Sequence, residues 1–524
     1  MLFQNVVTAS AAVSAVSGRL EKVAHLAALL ERATGDEIPI AVAFLSGTPR
    51  QGRIGVGGAR LRALEVTPAD APTLTLADVD SAFAEIATTA GRGSAQDRHA
   101  KLTTLLARAT ANEQRLIMRL LVGELRQGAL EGVLVEAVAR AAKVPADLVR
   151  RAVMMAGNLG EVATQAMNAG VDALTAYQVQ VLRPLDPMLS DSAPTVDEAL
   201  ERLGRATFEW KLDGARIQVH KSGSIVRVFS RNLRDVTAAV PEVASLVGSL
   251  PAERLVLDGE VIALRPDGTP LPFQTTMRRF GRRLDVDVLQ HEIPLTPFFF
   301  DCLLLDNTIL VDATLEDRIA ALDRVVPRSA IVPRMTTNQA EEARRFLDEA
   351  LARGHEGVMA KDPSAPYAAG RRGQAWIKIK QAQTLDLVVL AVEWGSGRRQ
   401  GWLSNLHLGA RDEASGQFVM LGKTFKGLTD EMLAWQTTQL LALETHRDRY
   451  TVYVRPELVV EIAFNEVQRS PQYPGGLALR FARVKGYRSD KSATQADTLA
   501  MVQATYQRQT GEAPPPASGP FEWG

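Results

Sequence analysis

The chain has 524 residues, more than one hydrophobic core usually organises, so about three domains are expected. Apolar residues make up 46% and charged residues 23%, and no apolar run is long enough to cross a bilayer. Lys plus Arg balance Asp plus Glu at 60 each, so composition alone does not announce a nucleic-acid binder. The opening Met1-Leu2-Phe3-Gln4-Asn5 lacks the basic-then-apolar order of a secretion signal. Cys302 is the only cysteine, which removes intramolecular disulfides and a thiolate zinc cluster. Both features fit a cytoplasmic location, nucleoid-associated in a prokaryote.

In chain order, the first third reads as helical. Residues 11–33 carry apolar side chains at three- and four-residue spacing, with Leu20, Val23, Leu26, Leu29 and Leu30 forming a stripe. Similar stripes recur over residues 102–106, 116–121 and 133–142. Pro145-Ala146-Asp147 then opens a further helix, with proline where no hydrogen-bonded N–H is needed. Near Leu182 the pattern breaks into Arg183-Pro184-Leu185-Asp186-Pro187-Met188-Leu189-Ser190, a proline-rich connector ending an all-α domain over residues 1–190.

From Phe208 the period shifts towards two. Strand-like runs at 217–220, 225–229, 255–264, 297–305 and 375–380 alternate irregularly with helical stretches at 316–325 and 338–352. That mixture predicts an α+β domain over residues 191–384. A β-rich region follows, with runs at 386–392, 406–409, 418–421 and 458–464, and a small barrel fits residues 385–508. Residues 509–524, with Pro514-Pro515-Pro516, are expected to be a disordered tail. Basic residues gather locally: Arg371, Arg372, Lys378, Lys380, Arg398, Arg399, Arg411, Lys423 and Lys426 face only Asp386, Glu393, Asp412 and Glu413. Such a surface binds phosphate in a neutral protein, although a solvated charged face reads the same way. Arg279, Arg282 and Arg283 pose the same choice.

The chemistry centres on Glu209-Trp210-Lys211-Leu212-Asp213-Gly214-Ala215-Arg216. A lysine amine is a covalent nucleophile only when neutral, and a free pKa of about 10.4 leaves roughly one molecule in a thousand neutral near pH 7.4. Neighbouring cations or burial are therefore expected to lower it. Four residues alone occur by chance on surface turns, but an ordered series follows. Ser230-Arg231-Asn232 comes first, then Leu257-Asp258-Gly259-Glu260-Val261-Ile262 and Phe298-Phe299-Phe300-Asp301. Glu356-Gly357-Val358-Met359-Ala360-Lys361 adds a carboxylate and a cation, and Trp376-Ile377-Lys378-Ile379-Lys380 puts two cations on one strand face. Two ammonium groups side by side call for an anionic partner such as a triphosphate. Gly416-Gln417-Phe418-Val419-Met420-Leu421-Gly422-Lys423-Thr424 superficially resembles a phosphate loop. Its glycines are five residues apart where four are required, and its apolar interior reads as a strand.

In order and content these segments resemble the six nucleotidyltransferase motifs of ATP-dependent DNA ligases. The last of them resembles Arg480-Phe481-Ala482-Arg483 through Arg488-Ser489-Asp490-Lys491. The helical first third resembles the DNA-binding domain of the larger cellular ligases, with Gly123-Glu124-Leu125-Arg126-Gln127-Gly128 as a weaker match to its signature. The resemblance implies an OB-fold for the C-terminal barrel and a set of roles. Lys211 would bond covalently to AMP, Glu209 would read the adenine amine, and Phe300 would stack on the base, with Phe298 as the fallback. Arg216 and Arg231 would hold ribose and phosphate. Glu260 would contact ribose or metal, and Glu356 would ligate magnesium. Arg372, Lys378, Lys380 and Lys361 would neutralise phosphate. Arg488, Asp490 and Lys491 would orient the pyrophosphate leaving group as the barrel closes.

The implied function is sealing of nicked duplex DNA with ATP and magnesium, in replication, repair or recombination, by a monomer with no membrane partner. RNA ligases and capping guanylyltransferases are the nearest alternatives, and the helical domain argues against them. NAD-dependent ligases need a four-cysteine zinc site that one cysteine cannot build. A non-catalytic DNA-end scaffold is opposed by the intact motif residues.

Overall fold

A computed structural model describes the chain apart from residues 53, 55–60, 62–63, 92, 124, 126–130, 281–289, 369–371, 381–382 and 522–524, and apart from the side chains of 372–374. The helical signature at 123–128 and the arginines at 282 and 283 thus lie mostly outside the described residues.

The N-terminal region is helical, as its periodicity implies. Helices span Phe3–Ala15, Arg19–Leu30, Glu37–Ser46, Leu76–Thr88, Ser94–Ala107, Ala111–Val122, Glu131–Ala142, Ala146–Ala156 and Leu159–Thr175. Capping boxes start two of them, Thr75 with Asp78 and Thr110 with Glu113, each satisfying backbone N–H groups that a helix start leaves open. Phe3, Phe44 and Phe83 form an edge-to-face ladder with centroids 5.5 and 6.0 Å apart at the centre of one shared core. The stripe expected over residues 11–33 is interrupted: the chain turns at Val16-Ser17-Gly18, the helical phase resets, and Leu20 is 78% exposed. No helix among the described residues is long and apolar enough to cross a membrane.

The connector does not hang between domains. Leu182 N–H donates to His220 Nδ1 (3.1 Å) and Leu185 N–H to Gln218 Oε1 (2.7 Å), which bolts it to the central domain. One apolar cluster crosses the junction, joining Met154 and Met155 of the helical region to Leu185, Met188, Leu303, Tyr367 and Trp376.

The central domain holds β1 (Leu189–Ala193), β2 (Ala206–Trp210), β3 (Ala215–Ser222), β4 (Ile225–Ser230), β5 (Arg254–Ala263), β6 (Leu295–Leu305), β7 (Thr308–Ile309), β8 (Arg334–Thr337), β9 (Gly357–Lys361) and β10 (Arg372–Lys380). They form two sheets, ordered β1-β10-β9-β2-β8 and β4-β3-β5-β6-β7. Sheet pairing therefore begins at Leu189, two residues before the expected boundary, because β1 runs parallel to β10. The helices Val196–Leu203 and Ala340–Ala352 pack on the first sheet, and Pro241–Gly248 and Leu315–Val325 on the second.

The C-terminal barrel comprises β11 (Gln383–Trp394), β12 (Leu403–Arg411), β13 (Phe418–Thr424), β14 (Glu444–Arg447), β15 (Thr451–Val454), β16 (Val459–Phe464), β17 (Glu466–Arg469), β18 (Leu477–Arg480) and β19 (Arg483–Tyr487). The long β11 pairs with β12, β15 and β16, and side chains from both sheets of the domain meet in one core with the helices Asp430–Ala442 and Leu499–Thr510. The apparent phosphate loop lies largely in β13, a paired strand.

The tail departs from expectation. The last helix runs to Thr510, Ser518 N–H donates to the Pro474 carbonyl (2.7 Å), and Phe521 N–H donates to Phe418 (2.8 Å). Apolar and backbone contacts to the barrel supply what its composition lacks.

Candidate active site

Lys211 sits where β2 ends. Its N–H donates to the Gly357 carbonyl (2.8 Å) and its carbonyl accepts from the Glu356 N–H (3.1 Å), lacing the end of β2 to the start of β9. The Lys211 ammonium consequently stands 2.7 Å from the Glu356 carboxylate. Gly214 allows the turn to press on β5: a Cβ there would lie 2.3 Å from the Val261 carbonyl oxygen and 3.0 Å from Glu260 Cγ. The other Glu356 oxygen accepts from Lys380 Nζ (2.6 Å) and from Asn465 Nδ2 of the barrel (3.1 Å).

The electrostatics reverse one expectation. Burial works to lower the Lys211 pKa, but Glu356, Glu260 and Asp213 outweigh it and hold the group above its ordinary value. The three carboxylates, and not the expected neighbouring cations, set the direction of the shift. Burial and the Lys211 charge instead depress Lys380. Burial pushes Glu260 up to about 7 against the pull of Lys211 and Arg216. Burial opposes the charge of Glu356 too, yet Lys211 and Lys380 bring it below the usual carboxylate range.

Two residues before Lys211, Glu209 opens a buried cluster with Lys361, Phe300 and Trp376. Glu209 is 2% exposed and pairs with Lys361 at 2.5 Å, while its Oε1 is buried with no hydrogen-bond partner. Lys361 Nζ stands 4.4 Å from the Phe300 ring centre and 4.3 Å from that of Trp376. Lys361 is 1% exposed, so it is buried within this cluster and not open to phosphate. Along β6 the alternation puts Phe298 and Phe300 on the half-buried face and Phe299 in the core.

Arg216 on β3 is clasped by Asp258 through Nε (3.1 Å) and Nη2 (2.6 Å). Arg231 is exposed in the turn after β4. Arg372 opens β10, with its side chain outside the described residues.

A cleft of about 1420 Å³ separates the central domain from the barrel and opens on Asp213, Glu356, Lys378 and Lys380. Barrel residues reach across it. Arg480 donates to Asp213 (2.6 Å) and Glu466 (3.1 Å), with its guanidinium 3.6 Å from the Phe273 ring centre. Arg488, Asp490 and Lys491, expected at the leaving group, are instead engaged within the barrel. Arg488 pairs with Asp490 (2.7 Å) and with Asp386 (2.8 Å), and Lys491 pairs with Asp386 (2.5 Å). They do not line the cleft. Asn465 and Glu466, which do line it, were not singled out, and Arg480 was named only as the start of the last motif. Asn465 and Glu466 carry no local pattern, and their significance lies in where the barrel sits.

The family described as ATP dependent DNA ligase domain matches residues 187–380, that described as ATP dependent DNA ligase C terminal region matches 399–491, and that described as DNA ligase N terminus matches 59–139. A probable DNA ligase of Anaeromyxobacter dehalogenans (strain 2CP-1 / ATCC BAA-258) is 58% identical over 97% of this chain and 100% of its own. One of Mycobacterium marinum (strain ATCC BAA-535 / M) is 54% identical over 97% of this chain and 100% of its own. The solved chain named Pmar-Lig_Pre. shares the fold, with a TM-score of 0.63 at 20% identity over 92% of this chain and 99% of that one.

Proposed function

The chain belongs to the ATP-dependent DNA ligase family, and on that premise we propose that it seals nicks in duplex DNA through a covalent Lys211–AMP intermediate. The observation that carries the reading is the meeting of Lys211, Glu356, Glu260 and Lys380 beside the buried cluster of Glu209, Lys361 and Phe300.

In the first step the Lys211 amine attacks the α-phosphate of ATP, the nitrogen–phosphorus bond forms, and pyrophosphate leaves. The unpartnered Glu209 Oε1 suits an exocyclic amine, since it is a buried acceptor lacking a donor. Adenine offers that donor where guanine offers a carbonyl oxygen. Phe300 supplies a face for the base, and Lys378 and Lys380 face the phosphates from the cleft. Arg216 and Arg231 serve ribose and phosphate, with Arg372 assisting. AMP then passes to the 5′-phosphate of a nick, and the adjacent 3′-hydroxyl expels it.

Glu260 and Glu356 fit a magnesium ion by donor chemistry: both are carboxylates beside Lys211, and burial leaves Glu260 poorly stabilised as an anion. No three acidic or histidine side chains among the described residues suffice to hold an ion, so nucleotide and water oxygens would complete its shell. Such a cation would withdraw carboxylate charge from Lys211 and favour its neutral form. Arg488, Asp490 and Lys491 would take part only in a differently closed barrel. The family resemblance further supports work in replication, repair or recombination.

The test is incubation with ATP labelled on the α-phosphate, followed by nicked DNA. A covalent adduct on the wild type, none on Lys211→Ala, and sealing with ATP in preference to NAD and GTP are expected. An adduct persisting in Lys211→Ala would overturn the mechanism.

A further inference from the structure

The tyrosine between β9 and β10 has no place in the reaction described above, yet it sits at the centre of a closed hydrogen-bond network. The Tyr367 hydroxyl donates to Asp258 Oδ2 (2.8 Å) and accepts from Arg216 Nη2 (3.2 Å) and from the Met188 N–H (3.0 Å). Arg216 Nη1 donates in turn to the Met188 carbonyl (2.7 Å). Met188 therefore presents both its backbone groups to this network, and Met188 belongs to the connector from the helical domain. The faces of the guanidinium meet Phe300 and Trp376, at 5.7 and 5.6 Å from their ring centres. Tyr367 is 2% exposed and its ring stands edge-on to Trp376 at 5.9 Å.

A guanidinium has five N–H groups. Here four are engaged: one to Met188, two to Asp258 and one to Tyr367. One N–H, on Nη1, is left for a ligand. An arginine so constrained can aim that donor only where its frame points it, and the frame is Asp258, the Tyr367 hydroxyl and the Met188 backbone.

We infer that Tyr367, with the connector backbone at Met188, positions Arg216 for nucleotide binding, so that the junction with the helical domain is part of the ATP site. Tyr367 touches no nucleotide in this scheme and acts through Arg216. The inference rests on the reading that Arg216 holds the ribose or phosphate of ATP.

The experiment measures self-adenylylation of the full chain against ATP concentration for the wild type, Tyr367→Phe, Arg216→Lys and the double variant. Tyr367→Phe removes three hydrogen bonds, one of them to Arg216, and is expected to raise the KM for ATP about fivefold with kcat within about twofold of wild type. In the Arg216→Lys background the same change should add nothing, because the group it positions is gone. A purely structural tyrosine would lower the unfolding temperature and leave KM alone, and that result overturns the proposal, as does an additive effect in the double variant. If neither Tyr367→Phe nor Arg216→Lys moves KM, the reading of Arg216 itself falls. If Arg216→Lys moves it and Tyr367→Phe does not, only the positioning role falls. Asp258→Asn, read the same way, serves as a second probe of the frame should Tyr367→Phe express poorly.

Discussion

At Lys211 the surrounding carboxylates favour the protonated amine, the form that the proposed mechanism cannot use. Glu356, Glu260 and Asp213 raise its pKa despite burial, so protonation competes with attack throughout the physiological range. The sign follows directly: raising pH removes the proton and supplies the nucleophile. Single-turnover adduct formation should therefore climb from about pH 6 to about pH 9, and Glu356→Gln should shift the curve to lower pH while slowing the reaction at its plateau. A flat profile in the wild type would show that amine deprotonation does not limit the step. Gly214 makes a second prediction. A methyl group there would sit 2.3 Å from backbone, so Gly214→Ala must move the turn that carries Lys211. Adduct formation should fall by about a hundredfold or more even where the variant stays folded, as checked by circular dichroism beside the adenylylation assay.

Among the elements, β11 shows how a barrel strand is held by its polar face as well as its core. Glu393 accepts from Asn405 Nδ2 (2.7 Å), from Lys423 Nζ (2.5 Å) and shares a hydrogen bond with His407 Nε2 (3.1 Å), tying β11 to β12 and β13. Burial resists the charge on Glu393, but these partners together bring it down to about 2. Since the folded value is depressed, its stabilisation is present above the ordinary carboxylate range and is lost as pH falls towards about 2. Glu393→Gln should thus destabilise the chain by roughly 1–3 kcal/mol near neutrality. The gap to wild type should narrow as pH falls from about 4.5 towards about 2 in denaturant titrations, and a gap independent of pH would rule out this charge as its source.

For the whole molecule, the decisive contact is between domains. Arg480 of the barrel reaches Asp213, two residues past Lys211, and Asn465 reaches Glu356. These contacts hold the barrel against the segment that carries Lys211, while Arg488, Asp490 and Lys491 stay out of the cleft. Arg480→Ala should accordingly slow self-adenylylation by about tenfold or more and affect sealing of a pre-adenylylated nick much less. Equal losses in both assays would assign Arg480 to both steps. DNA binding should weaken with salt by about 0.9 log units per log unit for each phosphate neutralised, measured by nick-binding titrations at several salt concentrations.

The sequence by itself was enough for the three-part architecture and for the segment around Lys211 with the carboxylate, aromatic and cationic segments that follow it. Those signals are local: periodicity reflects which face is buried, and a covalent nucleophile with its anionic substrate needs particular residue types in a particular order. It was also enough to read Gly416–Thr424 as a strand rather than a phosphate loop. What it could not decide were properties that depend on distance between segments far apart in the chain. The rise in the Lys211 pKa is one, because the balance of three carboxylates against burial exists only once β2, β5 and β9 are assembled. The pairing of Lys361 with Glu209 is another, and so are the frame of Tyr367 around Arg216 and the docking of the proline-rich tail on the barrel. The placement of Arg480 over Asp213, with Arg488 and Lys491 drawn to Asp386, belongs to the same class. Coulombic and hydrogen-bond energies fall off within a few ångströms, and only the tertiary structure sets those separations.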